Sequence, residues 1–114
     1  MQDDKNITFL TEYKIPLAIR ALRRSNIRKK ITEYLFDVGP SGSYTSEIAY
    51  NIKTTPTNVI GAIRGMGSRY KEEDSLISLN IVETVDNINN IKIYKITDFG
   101  KEMFESIDGN RNRF

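Results

Sequence analysis

The sequence predicts a mainly α chain carrying one small β-hairpin, an α+β fold. Three observations predict it. Apolar residues recur at helical spacing in short segments between residues 16 and 66. A Thr54-Thr55-Pro56 turn separates two of those segments. A β-branched run, Ile81-Val82-Glu83-Thr84-Val85, and an alternating run, Ile91-Lys92-Ile93-Tyr94-Lys95-Ile96, flank the turn-forming stretch Asp86-Asn87-Ile88-Asn89-Asn90.

Each element has a local reason. Pro16 suits the first turn of a helix, where its missing N–H costs nothing, and that helix runs to about Arg24. Ser25 is a good N-cap for a second helix, because its hydroxyl can accept an unpaired first-turn N–H. The second helix carries Ile27, Ile31, Tyr34, Leu35 and Val38 on one stripe, and Gly39-Pro40-Ser41-Gly42 stops it. Thr45-Ser46-Glu47-Ile48 opens a third helix with a cap and an early acid, close to a capping box; Ile48, Ala49 and Ile52 face its core side, and it ends near Lys53. Thr55 caps a fourth helix whose first position is Pro56 and whose end lies near Met66, Gly65 or Gly67 supplying the left-handed residue. Ser75 caps a further turn at Leu76–Leu79. After the hairpin, Thr97 caps a last helix with Phe99, Met103, Phe104 and Ile107 toward the core. The tyrosines Tyr44, Tyr50, Tyr70 and Tyr94 read as packing residues.

The 114 residues make one folding unit, long enough for a single core. The expected organisation is an N-terminal segment and helix at 1–24, a main domain at 25–107 and a polar tail at 108–114. There is no cysteine and no histidine. Thiolate chemistry, the commonest metal ligands and the commonest general base are therefore excluded, and no cofactor is expected. The remaining carboxylates, lysines and hydroxyls form no suggestive pair, so the chain does not read as an enzyme. Gly61, Gly65 and Gly67 resemble a phosphate loop only superficially, since no Lys-Ser or Lys-Thr follows them. No apolar run reaches the roughly 20 residues that a bilayer needs, and the acidic, polar start is unlike a signal peptide. A cytoplasmic protein with no membrane partner is expected.

The net charge of +2 hides an asymmetry. Residues 14–71 hold eleven Lys or Arg and three acids, whereas residues 72–114 hold five and nine. A basic first part suits a polyanion.

Tyr44-Thr45-Ser46-Glu47-Ile48-Ala49, Thr55-Pro56-Thr57-Asn58-Val59, Leu79-Asn80-Ile81-Val82-Glu83 and Tyr94-Lys95-Ile96-Thr97-Asp98-Phe99-Gly100 follow one another in the order and spacing of a known architecture. The chain resembles the winged helix-turn-helix family, in particular small archaeal and prokaryotic transcriptional regulators. That resemblance implies double-stranded DNA as partner, a recognition helix (about 55–66) in the major groove and a wing (about 81–96) near the backbone or minor groove. It also implies a homodimer. Phe9, Leu10, Tyr13, Leu17, Phe104 and Ile107 supply apolar residues for a two-fold interface. The wing departs from a strongly basic pattern, with Lys92 and Lys95 set against Glu83 and Asp86.

A helix advances about 100° per residue. With Val59 at zero, Ala62, Ile63 and Met66 fall on the core side. Thr57, Gly61 and Arg64 fall opposite, flanked by Asn58 and Ile60. Arginine bonds guanine in a bidentate way, asparagine does so with adenine, and threonine or isoleucine touches a thymine methyl. A glycine would let the backbone come close. Lys53, Arg69 and Lys71 flank the helix and suit phosphates, which hold register without reading sequence. Arg20, Arg23, Arg24, Arg28, Lys29 and Lys30 form a second basic cluster. The rival expectation, from another class, is a winged-helix protein–protein interaction module whose helix never enters a groove.

Overall fold

The computed structural model describes the backbone of residues 14–67 and 71–108, with side chains at all of these except 86–88 and 108. The described residues form an α+β, winged-helix-like fold of five α-helices and one antiparallel hairpin. Residues 14–24 are helical (α1), so the helix already includes Lys14 and Ile15 ahead of Pro16. The chain then breaks at Ser25 (φ −129°), whose hydroxyl accepts the Arg28 N–H at 3.2 Å. Two helices therefore stand here, as the Ser25 cap predicts.

The second helix, α2 (Asn26–Val38), is the central element, packing against the third and fourth helices, the hairpin and the last helix. Ile31 and Leu35 of its stripe are fully buried. Thr32 is buried too, its hydroxyl donating to the Arg28 carbonyl at 2.8 Å. Gly39 (φ 81°) ends α2 and leads into a short 3-10 turn, Gly39–Ser41.

The third helix, α3 (Thr45–Ile52), begins differently from the expectation. Thr45 is its first helical residue, not its cap, and Tyr44 at the cap position makes no side-chain bond. The hydroxyl of buried Ser43 instead donates to the Glu47 carboxylate. Ser43 is placed to do so because its backbone is extended against the hairpin: its N–H donates to the Tyr94 carbonyl (2.9 Å), and the Tyr94 N–H donates back (2.8 Å). This bridge attaches the chain ahead of α3 to the hairpin.

The fourth helix, α4 (Pro56–Arg64), has Pro56 at its first position and Thr55 as its cap, the Thr55 hydroxyl accepting the Asn58 N–H at 3.2 Å. Thr55→Ala is expected to cost about 1 kcal/mol of stability, read as a lower midpoint in urea unfolding; an unchanged midpoint would show that the cap contributes nothing. The carbonyls of Ala62 and Ile63 at the far end accept the N–H groups of Leu76 and Ile77, each at 3.0 Å. A 3-10 turn, Glu72–Asp74, and the Ser75-capped turn, where the Ser75 hydroxyl accepts from the Ser78 N–H at 3.1 Å, bring those groups into place. Lys14 Nζ donates to the Ser78 carbonyl at 2.9 Å, fastening α1 to the same turn.

The hairpin pairs β1 (Val82–Ile88) with β2 (Ile91–Ile96), with a bulge between Val85 and Asn87. Its turn is shorter than expected. Asp86, Asn87 and Ile88 belong to β1, and the reversal is made by Asn89 (φ 54°) and Asn90 (φ 67°) alone. Two successive positive φ values match a type I′ turn, whose twist suits the strands, and asparagine tolerates them. Thr97 then caps α5 (Asp98–Asp108). Its hydroxyl accepts the Gly100 N–H at 2.8 Å and reaches the carbonyls of Asn80 and Ile81. A Cβ on Gly100 would run into the Ile81 carbonyl oxygen and lie 2.8 Å from Ile96 Cγ1.

The core gathers Leu22, Ile31, Leu35, Ile48, Val59, Ile63, Leu76, Ile81 and Val82, with Phe99, Met103 and Phe104 closing one side. The Phe104 ring lies 5.1 Å from that of Phe36. No helix among the described residues is long and apolar enough to cross a membrane.

Candidate nucleic-acid interface

The turn between α3 and α4 sets the site. Lys53 ends α3 in the left-handed conformation (φ 62°, ψ 52°), and the Thr54 N–H donates to the Ala49 carbonyl at 2.9 Å. This tight reversal leads the chain from α3 into α4. Val59, Ala62 and Ile63 then bury the inner side of α4, as the helical phase requires.

The outer side carries Thr57 and Arg64, both exposed, with exposed Lys53 beside its N-terminus. Neither Lys53 nor Arg64 has an ion-pair partner among the described residues. Ile60 is half-buried, and Lys71 is exposed on the returning chain. Asn58 is half-buried and engaged: its amide donates to the Thr54 hydroxyl at 3.0 Å, which gives it a part in holding the turn. Arg69 lies outside the described residues.

Two expectations for α4 are corrected. Gly61, placed outward by phase, is buried and so offers no open backbone to a groove. Phase registers only the core side of a helix and carries nothing of chain that returns to it, as happens at the end of α4. A Cβ on Gly65 would sit 2.6 Å from Glu72 Cα, and Leu76 and Ile77 bond back to the helix carbonyls. Met66, expected in the core stripe, is 42% exposed, because α4 stops at Arg64 and Gly65 (φ 88°) takes the chain off the helical path.

On the hairpin, Lys92 is exposed, but Lys95 is paired across the strands with Glu83 (Nζ–Oε2 3.9 Å). One of the two hairpin lysines is thus partly neutralised. Arg20, Arg23, Arg24, Lys29 and Lys30 are exposed on α1 and α2, while Arg28 is half-buried. The expected two-fold interface loses Phe104, which is 4% exposed and packed on Phe36. Phe9, Leu10 and Tyr13 lie outside the described residues.

The tyrosines divide. Tyr94 is buried as expected, but Tyr50 on α3 is 84% exposed. Helical phase carries the missed signal. With Ile48, Ala49 and Ile52 inward, Tyr50 falls about 155° from the core direction. No group of three carboxylates that could hold a metal occurs among the described residues. A cleft of about 270 Å³ between α2 and the end of α3 places Lys30, Lys53, Glu33 and Asp37 beside Tyr34 and Asn51, so its charges balance.

A family model described as EarA-like matches residues 18–107, from within α1 almost to the end of α5. The chain belongs to the EarA-like family. The EarA-like match encloses both the α3–turn–α4 unit and the hairpin. An uncharacterized protein of Methanocaldococcus jannaschii is 44% identical to this EarA-like chain over 90 residues, 79% of this chain and 80% of that protein.

Proposed function

We propose that the chain is a DNA-binding transcriptional regulator that lays α4 in a major groove and rests its hairpin near the backbone. One observation carries the reading. From Tyr44 to Arg64 the sequence holds a single acid, Glu47, and that carboxylate is occupied by the Ser43 hydroxyl. The outward surface of α3, the turn and α4 therefore presents Lys53, Thr57 and Arg64 with no further carboxylate from that stretch. Glu33 and Asp37 share a cleft with Lys53, and Glu72 shares one with Arg64. The predominance of basic groups along the stretch suits a polyanion. The DNA-bound form in this reading is a homodimer, for which half-buried Leu17 and Ile107 remain available and Phe104 does not.

The rival reading, a protein–protein interaction module, draws on the Glu83–Lys95 pair, which weakens the hairpin's appeal to phosphate. Salt separates the two. If Lys53, Lys71 and Lys92 each neutralise a phosphate, the logarithm of affinity for unrelated duplexes falls with that of salt at a slope of about −2.7. Affinity should then drop about 40-fold between 50 and 200 mM salt. Negligible binding at every salt concentration would reject the DNA reading in favour of the module.

A further inference from the structure

We propose that Tyr50 is a second kind of DNA contact, a neutral hydrogen-bond donor to a backbone phosphate from the α3 side of α4. The inference rests on the DNA reading and deepens it.

A tyrosine is amphipathic and normally packs its ring. Tyr50 does not. It is 84% exposed on a helix whose neighbouring residues Ile48 and Ala49 are buried. Its hydroxyl has no hydrogen-bond partner among the described residues. One helical turn onward lies Lys53, exposed at the turn, and beyond it Thr57 at the start of α4. Tyr50, Lys53 and Thr57 are thus all exposed along the stretch of chain that leads to the proposed reading helix.

The surroundings choose the occupant. Glu47, a turn earlier on α3, accepts from Ser43 and is half-buried, so it does not compete for the phenol. A phenol donor without a partner among the described residues, three residues from an exposed lysine, fits an anionic oxygen. A duplex keeps its bases stacked inside, so what it offers at the flank of a groove is phosphate, not a base face. A contact of this kind holds orientation without reading sequence. With Lys53 it would fix α4 against one strand at two points.

Binding titrations of Tyr50→Phe, Tyr50→Ala and Lys53→Ala on a specific and an unrelated duplex, over a salt series, test the proposal. Tyr50→Phe should weaken both duplexes about tenfold or more, the scale of one hydrogen bond to a charged group, with an unchanged salt slope. Lys53→Ala should instead reduce the salt slope by about 1. Tyr50→Ala should melt at the wild-type temperature, because the ring buries little. Wild-type affinity in Tyr50→Phe overturns the proposal and leaves the DNA reading standing; it is also the outcome expected if the phenol serves a protein partner. Failure of the wild-type protein to bind any duplex overturns both.

Discussion

Replacing Gly100 by alanine is expected to lower the melting temperature by about 10 °C or more. Gly100 lies in the first turn of α5, where that helix crosses the root of the hairpin. An added Cβ there meets the carbonyl oxygen of Ile81 and, at 2.8 Å, Ile96 Cγ1. The Ile81 carbonyl is backbone and already accepts the Thr97 N–H at 3.0 Å, so it cannot swing aside cheaply. Alanine gains about 1 kcal/mol over glycine in helix propensity. Overpacking against a fixed backbone costs about 1–3 kcal/mol and occasionally more, and this site belongs at the upper end. A melting temperature that rises instead would show that α5 can slide on the hairpin root. The effect should appear as instability, with any loss of binding following from it.

The second large effect is on binding. Arg64→Ala should cost about 1–3 kcal/mol on a specific duplex and relax preference at one base pair. Arg64 is exposed, is the last residue of α4 and has no ion-pair partner among the described residues, so its fork is available. A basic residue in a helix's last turn also steadies the helix dipole, by about 0.3–1 kcal/mol. A thermal melt of the same variant separates that contribution from DNA contact. Arg64→Lys makes the finer distinction. It keeps the charge and the dipole interaction but loses the bidentate geometry. Base reading therefore predicts that lysine restores affinity for unrelated duplexes without restoring preference. Equal affinity of Arg64→Ala and wild type on the specific duplex would place Arg64 outside the interface.

What the sequence made legible was local. Ser25, Thr55 and Thr97 each accept an N–H three residues onward, so cap and helix start lie in one short window. Period-two alternation exposed the hairpin for the same reason. The misreadings share the opposite character. Ser43 serves α3 because residue 94 holds it, and no window around 43 contains residue 94. Gly61 was phased outward with respect to α4 but is buried, and phase carries nothing of chain that returns to a helix from elsewhere. Met66 fell out of the stripe because the helix ended two residues early. In the candidate site, the exposure of Thr57, Arg64 and Lys53 followed from α4's own periodicity and from the turn. Tyr50 was equally legible by phase on α3. It was passed over because a tyrosine among apolar residues is usually a packing residue.

The two ends of α4 bear on how freely this family could exchange one target for another. Nine residues are too few to hold a helix unaided. One end is closed within the turn by Thr55, but the other is closed by Leu76 and Ile77 from a separate stretch of chain. The helix is therefore not a portable cassette. Cut out and grafted elsewhere, it would leave behind the amides that finish it. Under the proposed function, new specificity in EarA-like proteins would arise by changing single outward side chains at positions such as 57, 60 and 64, with the frame inherited intact.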